Sequence, residues 1–196
     1  MDLILGTAQL NKTYGHFRRE TETNGSKILQ LAAALGFSAV DTAPSYGAAE
    51  HIIGQSMWEG AVHTKVSPGA SPSESLRNSL GRLGRSSVEI LYFHDPEVLW
   101  ENPNFFTHAR EYVEKDKAER LGVSIYLPEE LEQAAKVPNI EAVQLPVNVA
   151  DGRFSRDLLQ IASDRGIALY ARSLFLQGAL LETERPLPKA LTELQP

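Results

Sequence analysis

Cysteine is absent from the 196-residue chain, which excludes disulfides, thiolate metal sites and Cys nucleophiles. An excess of positive charge is also missing: 19 Lys and Arg stand against 25 Asp and Glu, a formal net charge of -6. Nucleic-acid and anionic-membrane surfaces normally present a basic face, so neither partner is expected. No run reaches the roughly 18 consecutive apolar residues that a bilayer span requires. The start, Met1-Asp2-Leu3-Ile4-Leu5-Gly6, carries no basic n-region, and its apolar run is too short for a secretion signal. The 5 His are scattered, none paired at the spacing of a helical metal site. The expectation is a cytoplasmic, metal-free protein. No Ser/Gly linker, charge run or low-complexity segment divides the chain, so residues 1–196 read as one domain.

What is present is a regular alternation. Short apolar, β-branched runs occur at Leu3–Leu5, Ser38–Val40, Ala61–Val66, Val88–Phe93, Arg120–Ser124, Ala142–Leu145 and Ile167–Tyr170. Several are almost continuously hydrophobic, as strands buried on both faces should be. Between them lie stretches with helical spacing. Lys27–Leu35 is rich in Ala and Leu and stops at Gly36, while Ser71-Pro72-Ser73-Glu74 offers an N-cap, a Pro at the first helical position and a capping-box Glu. Pro128 opens another helix, Ser155–Arg165 a further one ending at Gly166, and Phe105–Lys117 one more.

Strand, helix, strand, helix implies parallel strands with crossover helices, in an open doubly wound sheet or in a barrel. An open dinucleotide-binding sheet should carry a glycine-rich turn after its first strand, but Gly6-Thr7-Ala8-Gln9-Leu10 has a single Gly. Polar residues cluster instead at the ends of several strands: Asp41, Lys65, His94, Ser124, Gln144 and Arg172. Convergence of many strand ends on one mouth is a barrel property. The predicted fold is therefore an α/β (β/α)8 TIM-type barrel, here incomplete, with about seven parallel strands.

A barrel would bring Asp41, Lys65 and His94 together, with Tyr46 on the loop above Asp41. An unperturbed phenol titrates near ~10 and an unperturbed Lys near ~10.4. A close ammonium stabilises the phenolate and makes Tyr46 a better proton donor, while Asp41 pairs with Lys65 and holds it charged. His94 could donate to a substrate oxygen and orient it. Plainer readings stand beside these. Asp41 could be a strand-end cap, Tyr46 a loop anchor and His94 a satisfied core residue. Ser124 and Gln144 could satisfy backbone groups at the rim, and Arg172 could form a salt bridge. Lys65 is the hardest to explain away, because a buried Lys requires a partner. Trp58, Trp100 and Tyr14 read as cover residues, and Arg18-Arg19 and Glu129-Glu130 as solvated faces.

The same stretches resemble the aldo-keto reductase superfamily. They are Leu5-Gly6-Thr7-Ala8, Asp41-Thr42-Ala43-Pro44-Ser45-Tyr46-Gly47 with Glu50 and Ile53-Gly54, Thr64-Lys65, and Leu91-Tyr92-Phe93-His94. Gly122-Val123-Ser124 and Arg172-Ser173-Leu174-Phe175-Leu176-Gln177-Gly178 continue the series in order, to about Leu181. Gly-Thr-Ala-Gln followed by Tyr14-Gly15 is similar to members found among bacterial surface-polysaccharide genes. The resemblance implies hydride transfer from a nicotinamide cofactor, NADPH (NADP) before NAD, to a small aldehyde or ketone, a sugar derivative within scope. It puts Asp41, Tyr46, Lys65 and His94 in the catalytic positions, Tyr46 as general acid. Gly6, Thr7, Asp41, Ser124, Gln144, Arg172, Ser173, Leu174, Gln177 and Gly178 take the cofactor positions. Among these, Ser124 and Gln144 match the residues that hold the nicotinamide carboxamide, Arg172 the ring stacker, and Ser173 to Gly178 the pyrophosphate segment.

Two departures from the family pattern bear on function. Ile125 stands where many members carry Asn, which removes one carboxamide contact. The family's eighth strand, its flanking helices and the residues that grip the adenosine 2′-phosphate follow the segment matching Gly178. The chain reaches Pro196 inside what reads as the next helix, Pro188–Leu194. A seven-stranded barrel would leave an open seam between its first and last strands, where unpaired edges favour self-association. Two functions follow: a carbonyl reductase, or a non-catalytic relative that keeps the pocket and works as a binding or interaction subunit.

Overall fold

The computed structural model describes residues 2–10, 24–67, 69–101, 109–111, 115 and 117–181. Among these residues there are seven strands: β1 (Ile4–Gly6), β2 (Ala39–Asp41), β3 (Ala61–Val66), β4 (Val88–Phe93), β5 (Ala118–Ser124), β6 (Ala142–Pro146) and β7 (Ala168–Arg172). They lie side by side in chain order in one sheet, every pairing parallel. That order runs one way round from first to last, as in a barrel, whereas a doubly wound sheet reverses at a switch point. The sheet curls into a nearly closed α/β barrel of the (β/α)8 kind. Among the described residues β1 pairs only with β2, and β7 only with β6. β3 and β4 have the expected boundaries, and β1, β2 and β7 end one or two residues later than expected.

Among the described residues the α-helices are α1 (Gly25–Ala34), α2 (Ala49–Gln55), α3 (Pro72–Leu83), α4 (Glu97–Glu101), α5 (Pro128–Ala134) and α6 (Arg156–Asp164), and residues 109–111 are helical too. The cap chemistry is as the sequence implied. The Ser71 hydroxyl accepts from Glu74 N at 3.3 Å with Pro72 behind it, and Gly84 ends α3 in the left-handed region at φ 62°. Ser155 accepts from Leu158 N in the same way, and Gly36 and Gly166 follow α1 and α6 at φ 81° and 70°. The helix expected over Phe105–Lys117 falls mostly, and the one over Pro188–Leu194 wholly, outside the described residues. Tyr14 and Arg18-Arg19 also fall outside them.

Alternation along the strands sorts the side chains onto two faces. Val40, Val62, Leu91, Phe93, Leu121, Val123, Val143 and Leu145 point outward and pack with Leu29, Ile53, Leu76, Leu83, Leu131 and Ala162 of the helices into the main core. The inward residues form the lumen, where Ile90, Tyr92 and Ala142 make a separate small cluster against Tyr170. Trp58 is buried, its indole donating to Ala61 O at 3.2 Å, and Trp100 packs against the main core; both are cover residues.

Two glycines are demanded by close approach. A Cβ on Gly54 of α2 would lie 2.3 Å from Arg82 O, in the backbone of α3. A Cβ on Gly122 of β5 would lie 2.6 Å from the Tyr92 ring and 2.7 Å from Ala142 O. Gly122 thus vacates the part of the lumen that the Tyr92 ring fills. Gly122→Ala should lower unfolding stability by about 1–3 kcal/mol, the usual range for overpacking. Urea denaturation checks this, and an unchanged midpoint would contradict the packing described.

Candidate active site

The site starts from a cation that the fold buries. Lys65, next to last in β3, is 1% exposed, and its ammonium is held by oxygens of Asp41 and Thr42. Nζ donates to Asp41 Oδ1 at 2.7 Å, Asp41 Oδ2 at 2.9 Å and Thr42 O at 2.9 Å. The register places Asp41 beside His63, one inward position below Lys65, so both side chains meet on the lumen face of adjacent strands. Burial pulls the Lys65 ammonium below its ordinary value, and the Asp41 charge works against that pull.

Tyr46 and His94 complete the cluster that the sequence predicted. The Tyr46 ring centroid lies 5.1 Å from Lys65 Nζ, within cation–π distance. His94 follows β4, and the charges of Lys65, Asp41 and Arg172 all act on its imidazole. Beside it opens a cleft of roughly 430 Å³ lined by His94, Asp95, Pro96, Glu97, Tyr126 and Glu130. Glu130 does more than face solvent: Oε2 accepts from Tyr126 N at 2.7 Å and Leu127 N at 2.8 Å, capping α5. Glu129, one residue earlier, is exposed.

The remaining candidates fall into three groups. Ser124 and Gln144 are buried neighbours in register across β5 and β6, with Ser124 Oγ donating to Gln144 Oε1 at 3.4 Å. Gln144 Nε2 donates to Asp41 Oδ1 at 2.8 Å, from the opposite side of the lumen. Arg172 donates to Ile125 O at 2.9 Å and Ser173 Oγ at 3.3 Å, its guanidinium 4.0 Å over the Tyr126 ring. It is stacked on an aromatic ring and held by neutral oxygens. Thr7 works on the backbone of Asp41, both its N–H and its hydroxyl donating to Asp41 O at 2.9 Å. Gly6 ends β1 with open space where a Cβ would stand. Beyond β7, Ser173, Leu176, Gln177 and Gly178 all have positive φ, and Leu174 and Gln177 are exposed. Non-glycine residues in that region each store about 1–3 kcal/mol of strain, a pattern concentrated at functional loops.

Two further networks were not foreseen from the sequence. Below Asp41 in the lumen, His63 Nε2 lies 3.3 Å from Glu89 Oε2, Glu89 also pairs with Arg120, and Arg120 donates to Tyr170 Oη at 2.9 Å. The Tyr92 ring lies edge-on to both His63 and Tyr170, at 6.1 Å and 6.2 Å, and its hydroxyl is buried without a partner. Burial and the Asp41 charge push that phenol far above its ordinary range. Outside the barrel, buried Glu50 accepts from Thr64 Oγ1 at 2.6 Å and Arg82 Nε at 2.7 Å, tying α2 to β3 and α3. The inward parity of His63, Arg120 and Tyr170 was readable, but their partners were not.

The sequence profile described as the aldo/keto reductase family matches residues 2–195. Aldo-keto reductase YhdN of Bacillus subtilis is 22% identical over 179 residues, covering 81% of this chain and 54% of that protein. The chain thus spans about half the length of the curated relative it matches. Among solved structures, an aldo-keto reductase of Bacillus halodurans in its holo form superposes with a TM-score of 0.79 at 21% identity, covering 96% of this chain and 66% of that one. An aldo-keto reductase of Bombyx mori in complex with NADP gives 0.72 at 19% identity, covering 98% and 70%. Both likenesses bear on the fold. Among the described residues no helix is long and apolar enough to cross a membrane, and no group of His, Asp and Glu is placed to hold a metal ion.

The two lumen imidazoles give the fold a pH dependence. Burial holds His63 below the ordinary 6.5, with Glu89 and Asp41 opposing it. Burial, with the Lys65 charge behind it, does the same to His94, against Asp41. Below 6.5 the unfolded chain therefore takes up protons that the folded chain refuses. Stability is full above that value and declines as pH falls beneath it. Unfolding midpoints should drop between about pH 7 and about pH 5.5, and His94→Asn should make the decline shallower. A midpoint that does not move over this range would contradict the burial of both rings.

Proposed function

The chain belongs to the aldo/keto reductase family, and we propose that it is an NAD(P)H-dependent oxidoreductase that reduces an aldehyde or ketone, with Tyr46 as general acid. The observation that carries this reading is the buried Lys65 ammonium, held by Asp41 and Thr42, 5.1 Å from the Tyr46 ring. A buried cation costs several kcal/mol of desolvation even when paired. Its placement beside a phenol gives that expense a chemical purpose, because it favours the phenolate over the phenol.

The residues at the mouth suit a nicotinamide cofactor. Ser124 and Gln144 offer a buried hydroxyl, an amide donor and an amide acceptor side by side, which fits a carboxamide. Arg172, already stacked on Tyr126, presents a planar group at the end of β7. Positive φ at Ser173, Leu176, Gln177 and Gly178 folds the chain after β7 into a tight turn, the segment that would lie along a pyrophosphate. In this reading Gly6, Thr7, Asp41, Ser124, Gln144, Arg172, Ser173, Leu174, Gln177 and Gly178 would hold the cofactor, NADP(H) before NAD. The Bombyx mori relative, whose structure contains NADP, supports that order. When bound, the cofactor supplies the hydride that the carbonyl carbon receives.

The protein's share is the proton. His94, uncharged near neutrality, donates a ring N–H to the carbonyl oxygen and holds it toward Tyr46. Tyr46 passes its phenolic proton to that oxygen, so carbon gains hydride and oxygen gains H⁺, giving the alcohol. Lys65 attracts the phenolate left behind, and Asp41 keeps Lys65 in place. In alcohol oxidation the phenolate takes the hydroxyl proton back. A sugar derivative is within the substrate class that the family resemblance suggests.

Quenching of protein fluorescence by NADPH tests the cofactor assignment; no quenching at high cofactor concentration would favour a non-catalytic binding role. Tyr46→Phe should leave that quenching intact and lower carbonyl reduction by about 10²–10⁴-fold, the range for loss of a general acid. Unchanged turnover in Tyr46→Phe would overturn the assignment of the acid.

A further inference from the structure

Tyr46 sits in the turn between β2 and α2, and its distance from Lys65 depends on where that turn lies against β3. Two backbone bonds, Tyr46 N to Ala43 O at 3.0 Å and Ala49 N to Tyr46 O at 3.2 Å, carry the turn straight into α2. With seven residues, and with Ala48 giving no side-chain cap, α2 is too short to be stable by itself and takes its place from tertiary contacts. Buried Ile53 and close-packed Gly54 seat it on the main core and on α3. Glu50, four residues after Tyr46 and 1% exposed, adds a polar tie to two elements. Its Oε1 accepts from Thr64 Oγ1 at 2.6 Å and its Oε2 from Arg82 Nε at 2.7 Å. Thr64 is the residue just before Lys65 in β3.

We infer that Glu50 is a positioning residue for the proposed acid: clamped between Thr64 of β3 and Arg82 of α3, it holds the Tyr46 turn at its working distance from Lys65. Three features support this. Thr64 and Lys65 are consecutive in β3 and face opposite sides of the strand, so one backbone segment carries the anchor of the turn outside the barrel and the cation inside it. Burying an ionised carboxylate is costly, and apolar residues often replace a buried ion pair without loss, so packing alone does not call for Glu50. Its two oxygens are engaged from two different elements, which fixes the start of α2 in orientation as well as in position. Glu50 acts through the turn, from behind the strand that carries Lys65. The inference rests on Tyr46 being the acid.

Thr64→Val nearly keeps the shape and changes no charge, so it cuts the tie to β3 and leaves Asp41, His94, Arg172 and Glu50 around Lys65 in place. The first readout needs no cofactor. Ultraviolet titration of tyrosinate, each protein measured against the same protein carrying Tyr46→Phe, gives the Tyr46 midpoint. A turn that drifts about 1 Å from Lys65 should raise that midpoint by about half a unit. Thr64→Ser restores the hydroxyl and should bring the midpoint back to the wild-type value. At saturating NADPH, kcat for reduction should fall about 10- to 100-fold in Thr64→Val, the scale of a misplacement of about 1 Å. NADPH quenching should shift by less than about 3-fold, and Thr64→Ser should recover kcat. A purely structural tie would lower the urea midpoint and leave the Tyr46 midpoint and the kcat of the folded enzyme unchanged; that result overturns the inference. Should Thr64→Val fail to fold by circular dichroism, Glu50→Gln decides. Loss of its negative charge near Lys65 would alone lower the Tyr46 midpoint, so a rise there supports positioning and any other result overturns it. If the wild type reduces no carbonyl while the Tyr46 midpoint still rises in the variants, the linkage stands and the proposed reaction falls.

Discussion

The buried ammonium of Lys65 is the constraint from which the site and much of the lumen follow. Removing one partner of a buried pair typically costs about 3–5 kcal/mol, so the fold must supply Asp41 wherever it supplies Lys65. That requirement sets geometry as well as charge. Parallel pairing of β2 with β3 and alternation of side chains put both residues on the inner face. A slip of one residue would turn Lys65 into the apolar layer beneath the helices. Thr7 adds a second hold by fixing the Asp41 carbonyl from β1. The arrangement that keeps the lysine tolerable is thus the one that presents it to Tyr46.

The barrel divides its labour between faces. Outside, strand residues such as Val40, Leu91 and Val143 pack with the helices and supply apolar stability. Inside, two polar layers stack. The upper one joins Asp41, Lys65, Ser124 and Gln144, and the lower one joins His63, Glu89, Arg120 and Tyr170. Tyr92 separates them, its ring 5.9 Å from the Lys65 ammonium and edge-on to His63. Gly122 makes room for that ring. The Tyr92 ring therefore stands between the two charged layers.

Much of this was legible in the chain. β3 and β4 were bounded correctly because their runs are almost wholly apolar and abut turn residues, and the start of α3 because Ser71 and Pro72 mark it. The convergence of Asp41, Lys65 and Gln144 followed from polar residues at successive strand ends. Short elements were harder. α2 spans seven residues and its N-cap, Ala48, makes no side-chain bond, so nothing local announced it. Glu130 read as a solvated charge because its role depends on two backbone N–H groups brought back by the turn at Leu127. Arg172 was expected to stack on a nicotinamide ring; its place over the Tyr126 ring, 46 positions away by number, arises only because the sheet curls. The lower layer was missed for the same reason: a His, a Glu, an Arg and a Tyr on four different strands carry no shared local signal.

The bond from Gln144 to Asp41 joins residues 103 positions apart, whereas Lys65 and Asp41 are 24 apart. Closing the longer loop carries the greater entropic penalty and depends on every intervening strand. The ion pair needs only β2 and β3 side by side, whereas its transverse brace needs β6 brought round to face them.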